Sequence, residues 1–125
     1  MKQLIIVFIG GGVGTVFRYL FSRLIPYPGY GFPWSTFTTN IIGCFIIGIL
    51  SSYFYRTCSN SHSDLVLFAT FGLCGGFTTF STYAFENLNL LESGDHLTFL
   101  IYTLVSVILG IIMVYIGMII HKYFI

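Results

Sequence analysis

The stretch "GLCGGFTTFSTYAFE", residues 72 to 86, lies in the middle of a long apolar run. It holds three glycines, four Ser/Thr hydroxyls, three phenylalanines and a tyrosine. Glycine inside a helix costs roughly 0.5–1 kcal/mol relative to alanine. A hydroxyl moved out of water is costly unless it finds a hydrogen-bond partner. A hydrophobic segment that gathers both at its centre is therefore built for something other than filling space, and the fold turns on what surrounds it.

Outward from this stretch, four apolar runs follow one another, at about residues 4–25, 32–55, 65–91 and 97–120. A helix crossing a bilayer needs roughly 20 apolar residues, and all four runs are that long. The breaks between them carry turn chemistry: "PYPGYGFP" at 26–33, "RTCSNSHSD" at 56–64 and "NLNLLESGDH" at 87–96. The chain of 125 residues is 56% hydrophobic and 7% charged, with a mean hydropathy of +0.91. Soluble domains carry roughly 25% charged residues, so this chain cannot cover a water-facing surface. The expected fold is a single transmembrane domain over 1–125, all-α, with four spanning helices and almost nothing outside the membrane. A cleaved leader fits the N-terminus poorly, because Lys2 and the apolar stretch behind it are followed by no A-x-A-like site. The three cysteines, Cys44, Cys58 and Cys74, are odd in number and form no CxxC, so no disulfide framework is expected.

Charge gives little orientation. With four spans, Lys2, Arg56 and Lys122 fall on one side, and Arg23 with Arg18 on the other. Orientation follows the Lys/Arg asymmetry of short loops. Three against two permits insertion either way round, in which case two copies of opposite orientation can pair, and equally permits one orientation set by a small bias. Both readings stand at this point.

The glycines near the N-terminus do not make a nucleotide site. In "LIIVFIGGGVGTVFR" a G-x-G-x-x-G pattern starting at Gly10 needs glycine at 15, which is Thr15, and no βαβ unit follows. Gly10 and Gly14 share a helix face, as do Gly72 and Gly76, a spacing that suits close helix contact.

Residues 65–91 would form a helix about 40 Å long at about 1.5 Å per residue, against roughly 30 Å of hydrocarbon. Tilt can absorb the excess. Alternatively the cluster Gly72, Gly75, Gly76 breaks the helix, which is tolerated at membrane depth only where protein or a water path surrounds the backbone, or it simply lets a neighbour approach. Beyond it, Thr79, Thr82, Tyr83 and Glu86 recur at i, i+3, i+4 and i+7 and form one polar stripe, flanked by Ser81 and with Phe80 beside Tyr83. The second run adds Asn40, and the fourth adds Tyr102, Thr103 and Ser106. Polar side chains at this depth face a bundle interior or a water path.

The acids Asp64, Glu86, Glu92 and Asp95 lie at or near helix ends, and His62, His96 and His121 stand singly. That pattern offers no metal cluster, no catalytic triad and no basis for reading an enzyme. Hydroxyls, an amide and aromatic edges remain. They donate hydrogen bonds or present positive ring edges, which suits a small anion better than a cation.

These motifs, "GGGVGTVFRY" at 10–19, "STFTTNIIGCFIIG" at 35–48 and "GLCGGFTTFSTYAFE" at 72–86, resemble the Fluc (CrcB) family of small fluoride channels over essentially the full chain. The resemblance implies a multi-pass protein of the bacterial plasma (inner) membrane that exports fluoride passively and relieves fluoride toxicity. It implies an antiparallel dual-topology homodimer in the lipid bilayer, with two pores lined by both copies and no nucleic-acid partner. It also implies a third helix broken at its centre, where the main-chain carbonyls of Gly75 and Thr78 hold a structural Na⁺ between the copies. Residue by residue, Asn40 matches a pore asparagine, Phe80 a ring whose edge faces fluoride, and Thr79, Ser81 and Thr82 hydroxyls along the pore. Tyr102 and Ser106 match a polar track on the fourth helix, shortened here because Gly110 stands at its next turn. Arg18 matches a vestibule arginine and Glu86 an acid near the end of the third helix. Tyr83 departs from the family pattern, which has phenylalanine there. Two other classes compete. A small multidrug antiporter shares size and layout but needs a glutamate in the first helix, and residues 4–25 contain no acid. A membrane assembly subunit without transport of its own is the other.

Overall fold

The computed structural model describes residues 1–57 and 64–124. The first helix is Lys2–Leu24, the second Trp34–Thr57 and the fourth His96–Phe124, while the third span runs from Asp64 to Glu92. All four are long and apolar enough to cross a membrane, and the described residues contain no strand. Cys58 and His62 lie outside the described residues.

The turns follow from local chemistry. The first helix stops at Ile25, which takes φ −123° and ψ 77° ahead of Pro26, whose ring disfavours helix in the preceding residue. Gly29 and Gly31 then adopt positive φ. The third span ends in paired reversed hydrogen bonds, Gly94 N to Leu91 O at 3.1 Å and Asp95 N to Leu90 O at 3.0 Å, with Gly94 at φ 80°. This Schellman closure satisfies carbonyls that a helix end leaves free. Asp95 immediately caps the next helix by accepting from Thr98 N at 3.1 Å, so the two spans turn around within three residues.

The spans pack as two parallel pairs. The first helix lies along the first half of the third span, and the second helix lies along the fourth. Lys2 pairs with Asp64 at one end of the first pair. Ser52 meets His121 at the corresponding end of the second pair, 3.1 Å apart. Lipid supplies no hydrophobic drive between helices, so close backbone approach must supply dispersion instead. A Cβ on Gly10 would sit 2.6 Å from the Phe68 carbonyl oxygen, and one on Gly72 would sit 2.8 Å from Gly10 Cα. Those glycines are contact points.

The third span is not a uniform helix. Leu67–Cys74 is π-helical and Gly75–Phe77 is α-helical, so Gly72, Gly75 and Gly76 all sit in helical backbone. The residues that leave helical geometry are threonines. Thr78 has φ −87° and ψ 155°, and Thr79 has φ −149° and ψ 114°. Both values are extended backbone, which β-branched residues favour. Helix resumes over Phe80–Glu92. The outer faces of the chain are apolar, with Leu4, Phe8, Leu100 and Ile111 exposed, as a bilayer-facing surface requires.

Candidate functional site

The extended residues Thr78 and Thr79 border a cleft of about 470 Å³ between the second helix, the third span and the fourth helix. Asn40 reaches it from the second helix. Gly75, Thr78, Thr79, Phe80 and Tyr83 reach it from the third span, and Ser106 from the fourth helix. Seven of the residues singled out in the sequence therefore meet in one place. Among the described residues, no charged side chain lines it.

The Asn40 amide holds the extended backbone. Thr79 N donates to Asn40 Oδ1 at 3.0 Å, and Asn40 Nδ2 donates to Thr79 O at 3.5 Å. The second distance is at the long edge of a hydrogen bond. One side chain thus meets both backbone groups of the residue that has left the helix. Asn40 has a second amide hydrogen, and its side chain lines the cleft.

Thr79 caps the helix that resumes after it. Its Oγ1 accepts from Thr82 N at 3.2 Å and donates to Thr82 Oγ1 at 3.0 Å, with Ser81 Oγ at 3.2 Å. Thr82 Oγ1 receives that proton and keeps its own to donate elsewhere. These caps have a consequence for the carbonyls. In an unbroken α-helix the amides of Thr79 and Thr82 would bond the Gly75 and Thr78 oxygens. Here both amides bond side chains instead. The Thr78 hydroxyl donates back to Cys74 O at 3.0 Å, so the side chain of Thr78 is occupied within its own helix.

Phe80 is 80% exposed on the single chain, and Ser81 and Thr82 are exposed beside it. The rings of Phe80 and Tyr83 lie 5.9 Å apart and tilted by 40°. Arg18 is half-buried on the first helix and is not part of the cleft lining.

Behind the cleft sits a buried polar cluster. Glu86 is 5% exposed. Its Oε1 accepts from Thr36 Oγ1 at 2.6 Å and its Oε2 from Tyr102 OH at 2.8 Å. A buried carboxylate is tolerable when both oxygens accept from donors, and this one joins three elements. Tyr102 is fully buried and packs against Phe32 and Tyr83, with ring centroids 5.2 and 5.1 Å away. Its hydroxyl is committed to Glu86 and does not line the cleft. Ser106, one turn on, does line the cleft, and its Oγ is buried with no partner among the described residues.

Two members of this cluster carry weaker marks in the sequence. Thr36 stands four residues before Asn40 and so shares its helix face, which is a readable signal. Asn87 follows Glu86 directly. It donates to Tyr83 O at 2.9 Å and accepts from Thr103 Oγ1 at 2.8 Å, and its partner sixteen residues away leaves no local pattern. In the first connection, the Tyr27 hydroxyl is buried and has no hydrogen-bond partner among the described residues. Burial, and then the nearby charges of Glu86 and Asp95, push its phenol above the usual range.

Comparison with known proteins gives the chain its family. A family model described as "CrcB-like protein, Camphor Resistance (CrcB)" matches residues 5–118. The chain is 48% identical over 120 residues to a protein of Phocaeicola vulgatus named fluoride-specific ion channel FluC, covering 94% of this chain and 96% of that one. Proteins of the same name from Bacteroides fragilis and Methanococcus aeolicus are 46% and 38% identical over 122 and 117 residues. Those matches cover 94% of this chain in both cases, with 94% and 93% of the respective relatives.

Proposed function

This chain belongs to the CrcB-like family, and from that premise we propose how it works as a fluoride channel of the bacterial plasma membrane, a multi-pass protein that lets fluoride leave the cytoplasm down its gradient. The observation that carries the reading is a largely apolar, uncharged cleft at mid-span, where an amide, a few hydroxyls and a phenyl ring converge.

Fluoride is small and strongly hydrated, and removing an ion from water is costly unless equivalent partners replace it. The second amide hydrogen of Asn40, the buried hydroxyl of Ser106 and the free proton of Thr82 supply donors. Phe80 adds the positive rim of its ring. None of these groups is a full charge, which suits conduction, since a passing ion must bind well enough to enter and weakly enough to leave. Arg18 serves a different task in this scheme, drawing anions towards the pore mouth by long-range attraction.

The active unit is an antiparallel pair of copies. The exposed Phe80, Ser81 and Thr82 at the middle of the third span support this, because hydroxyls at membrane depth need protein or water against them. The near-even charge distribution of the loops supports insertion in both orientations. Each pore then takes residues from both copies, including the Thr79, Ser81 and Thr82 hydroxyls.

A structural Na⁺ at the centre of the pair fits the donor set. The Gly75 and Thr78 carbonyls have lost their helical amide donors to side chains, and neutral oxygens of this kind suit a hard cation. Those two main-chain oxygens would hold it. When bound, the ion supplies a fixed positive field beside the anion path and links the copies. Asn40 and the Thr79 hydroxyl keep the carbonyls available, because they hold the backbone in its extended form.

The test is efflux. Purified protein in fluoride-loaded liposomes should release fluoride to an electrode while chloride stays inside. Phe80→Ile should stop the release and leave the dimer's elution unchanged. Chloride leaving as fast as fluoride would overturn the channel reading, and undiminished fluoride release from the variant would remove the ring from the path.

A further inference from the structure

Tyr83 is held on three sides. Its ring rests on Tyr102, whose own hydroxyl is fixed to the Glu86 carboxylate, and on Phe80. Its carbonyl accepts from Asn87, and Asn87 is in turn fixed by Thr103. The side chain so braced lines the cleft. Its hydroxyl makes no hydrogen bond among the described residues. The neighbouring tyrosine, Tyr102, has the opposite arrangement, with its hydroxyl committed to Glu86 and its ring away from the cleft.

A braced phenol that lines the cleft, with its hydroxyl unclaimed by any described residue, is a preorganised donor. Hydrogen bonds to a charged partner are roughly twice as strong as neutral ones, and a group with no internal partner breaks no protein contact to make one. A donor of this kind also discriminates. A small anion of high charge density gains more from an O–H contact than a larger one, because the attraction falls with separation.

From this geometry we infer that the Tyr83 hydroxyl is a fluoride-holding donor that sets the balance between affinity and throughput in this chain. It gives fluoride a tight station beside Phe80 and, by the same contact, slows its release. The inference rests on the proposed channel reading and assigns to Tyr83 a role that the aromatic ring alone would not have.

The experiment is Tyr83→Phe, which removes one oxygen and keeps the ring and its packing. Fluoride flux is measured in liposomes against fluoride concentration, with Tyr115→Phe as control, a residue 65% exposed and outside the cleft lining. Loss of one charge-assisted hydrogen bond should raise the half-saturating fluoride concentration about tenfold. The maximal rate should rise with it, and the preference for fluoride over chloride should fall. A half-saturating concentration that rises less than about threefold overturns the inference, and a larger rise in Tyr83→Phe alone supports it. Failure of the unmodified protein to conduct fluoride would instead sink the channel reading, so the two failures are distinguishable.

Discussion

Asn40→Ala is the most informative single change, because it touches both the backbone geometry and the anion path. The substitution removes the side chain that bonds Thr79 N at 3.0 Å and Thr79 O at 3.5 Å. Thr79 is 9% exposed, so its freed amide has little access to bulk water. A buried donor left without a partner costs about 1–3 kcal/mol. The longer contact to the carbonyl adds about 0.5 kcal/mol, since it lies at the edge of the hydrogen-bond range. Asn40 also lines the cleft, so water can follow the truncated side chain and recover part of the loss. The expected destabilisation is therefore about 2 kcal/mol, read as the unfolding free energy in mixed micelles by circular dichroism, with fluoride efflux lost. Asn40→Asp separates the two roles. It retains an oxygen for Thr79 N but adds a negative charge beside the anion. Two like charges about 4 Å apart repel by roughly 4 kcal/mol at an effective dielectric constant of about 20, or about a thousandfold in rate. Wild-type stability in Asn40→Ala would show that the amide does not hold the extended segment. Wild-type efflux in Asn40→Asp would remove Asn40 from the anion path.

Gly72→Ala places a methyl 2.8 Å from Gly10 Cα, and backbone cannot yield as a side-chain tip can. Overpacking of this sort costs about 1–3 kcal/mol, so thermal unfolding in detergent should begin at lower temperature; an unchanged transition would show that the first helix and the third span do not pack this closely. A single cysteine introduced at a terminus, in a background without Cys44, Cys58 and Cys74, should react with a membrane-impermeant reagent to about half its extent from either side of the membrane. Complete labelling from one side would establish a fixed orientation and rule out the antiparallel pair.

Much of the fold was legible because the bilayer reads composition directly. Four apolar runs of the right length, separated by proline, glycine and polar clusters, leave little choice of architecture when every backbone polar group must be satisfied within its own segment. The cluster of candidate residues was legible for a related reason. Hydroxyls and an amide in hydrocarbon must face something polar, so Asn40, Thr79, Tyr83 and Ser106 declared themselves by type and spacing, and they line one cleft.

Other features depended on contacts far apart in the chain. Glycine propensity drew attention to Gly72, Gly75 and Gly76, yet these are helical and the extended residues are Thr78 and Thr79. The first helix presses on Gly72 and Gly76 and rewards a helix there, while Asn40, thirty-nine residues before Thr79, offers the partners that let a threonine leave it. Tyr102 reads as one more hydroxyl on a polar track, but Glu86 claims it together with Thr36 from a third element. The sequence by itself therefore determined the solvent, the number of spans and the chemistry gathered at their centre, because transfer from water to lipid is a property of each side chain. Only the tertiary structure decided which hydroxyls face the cleft and which are committed inside, because a polar group's free capacity depends on the partner that reaches it first.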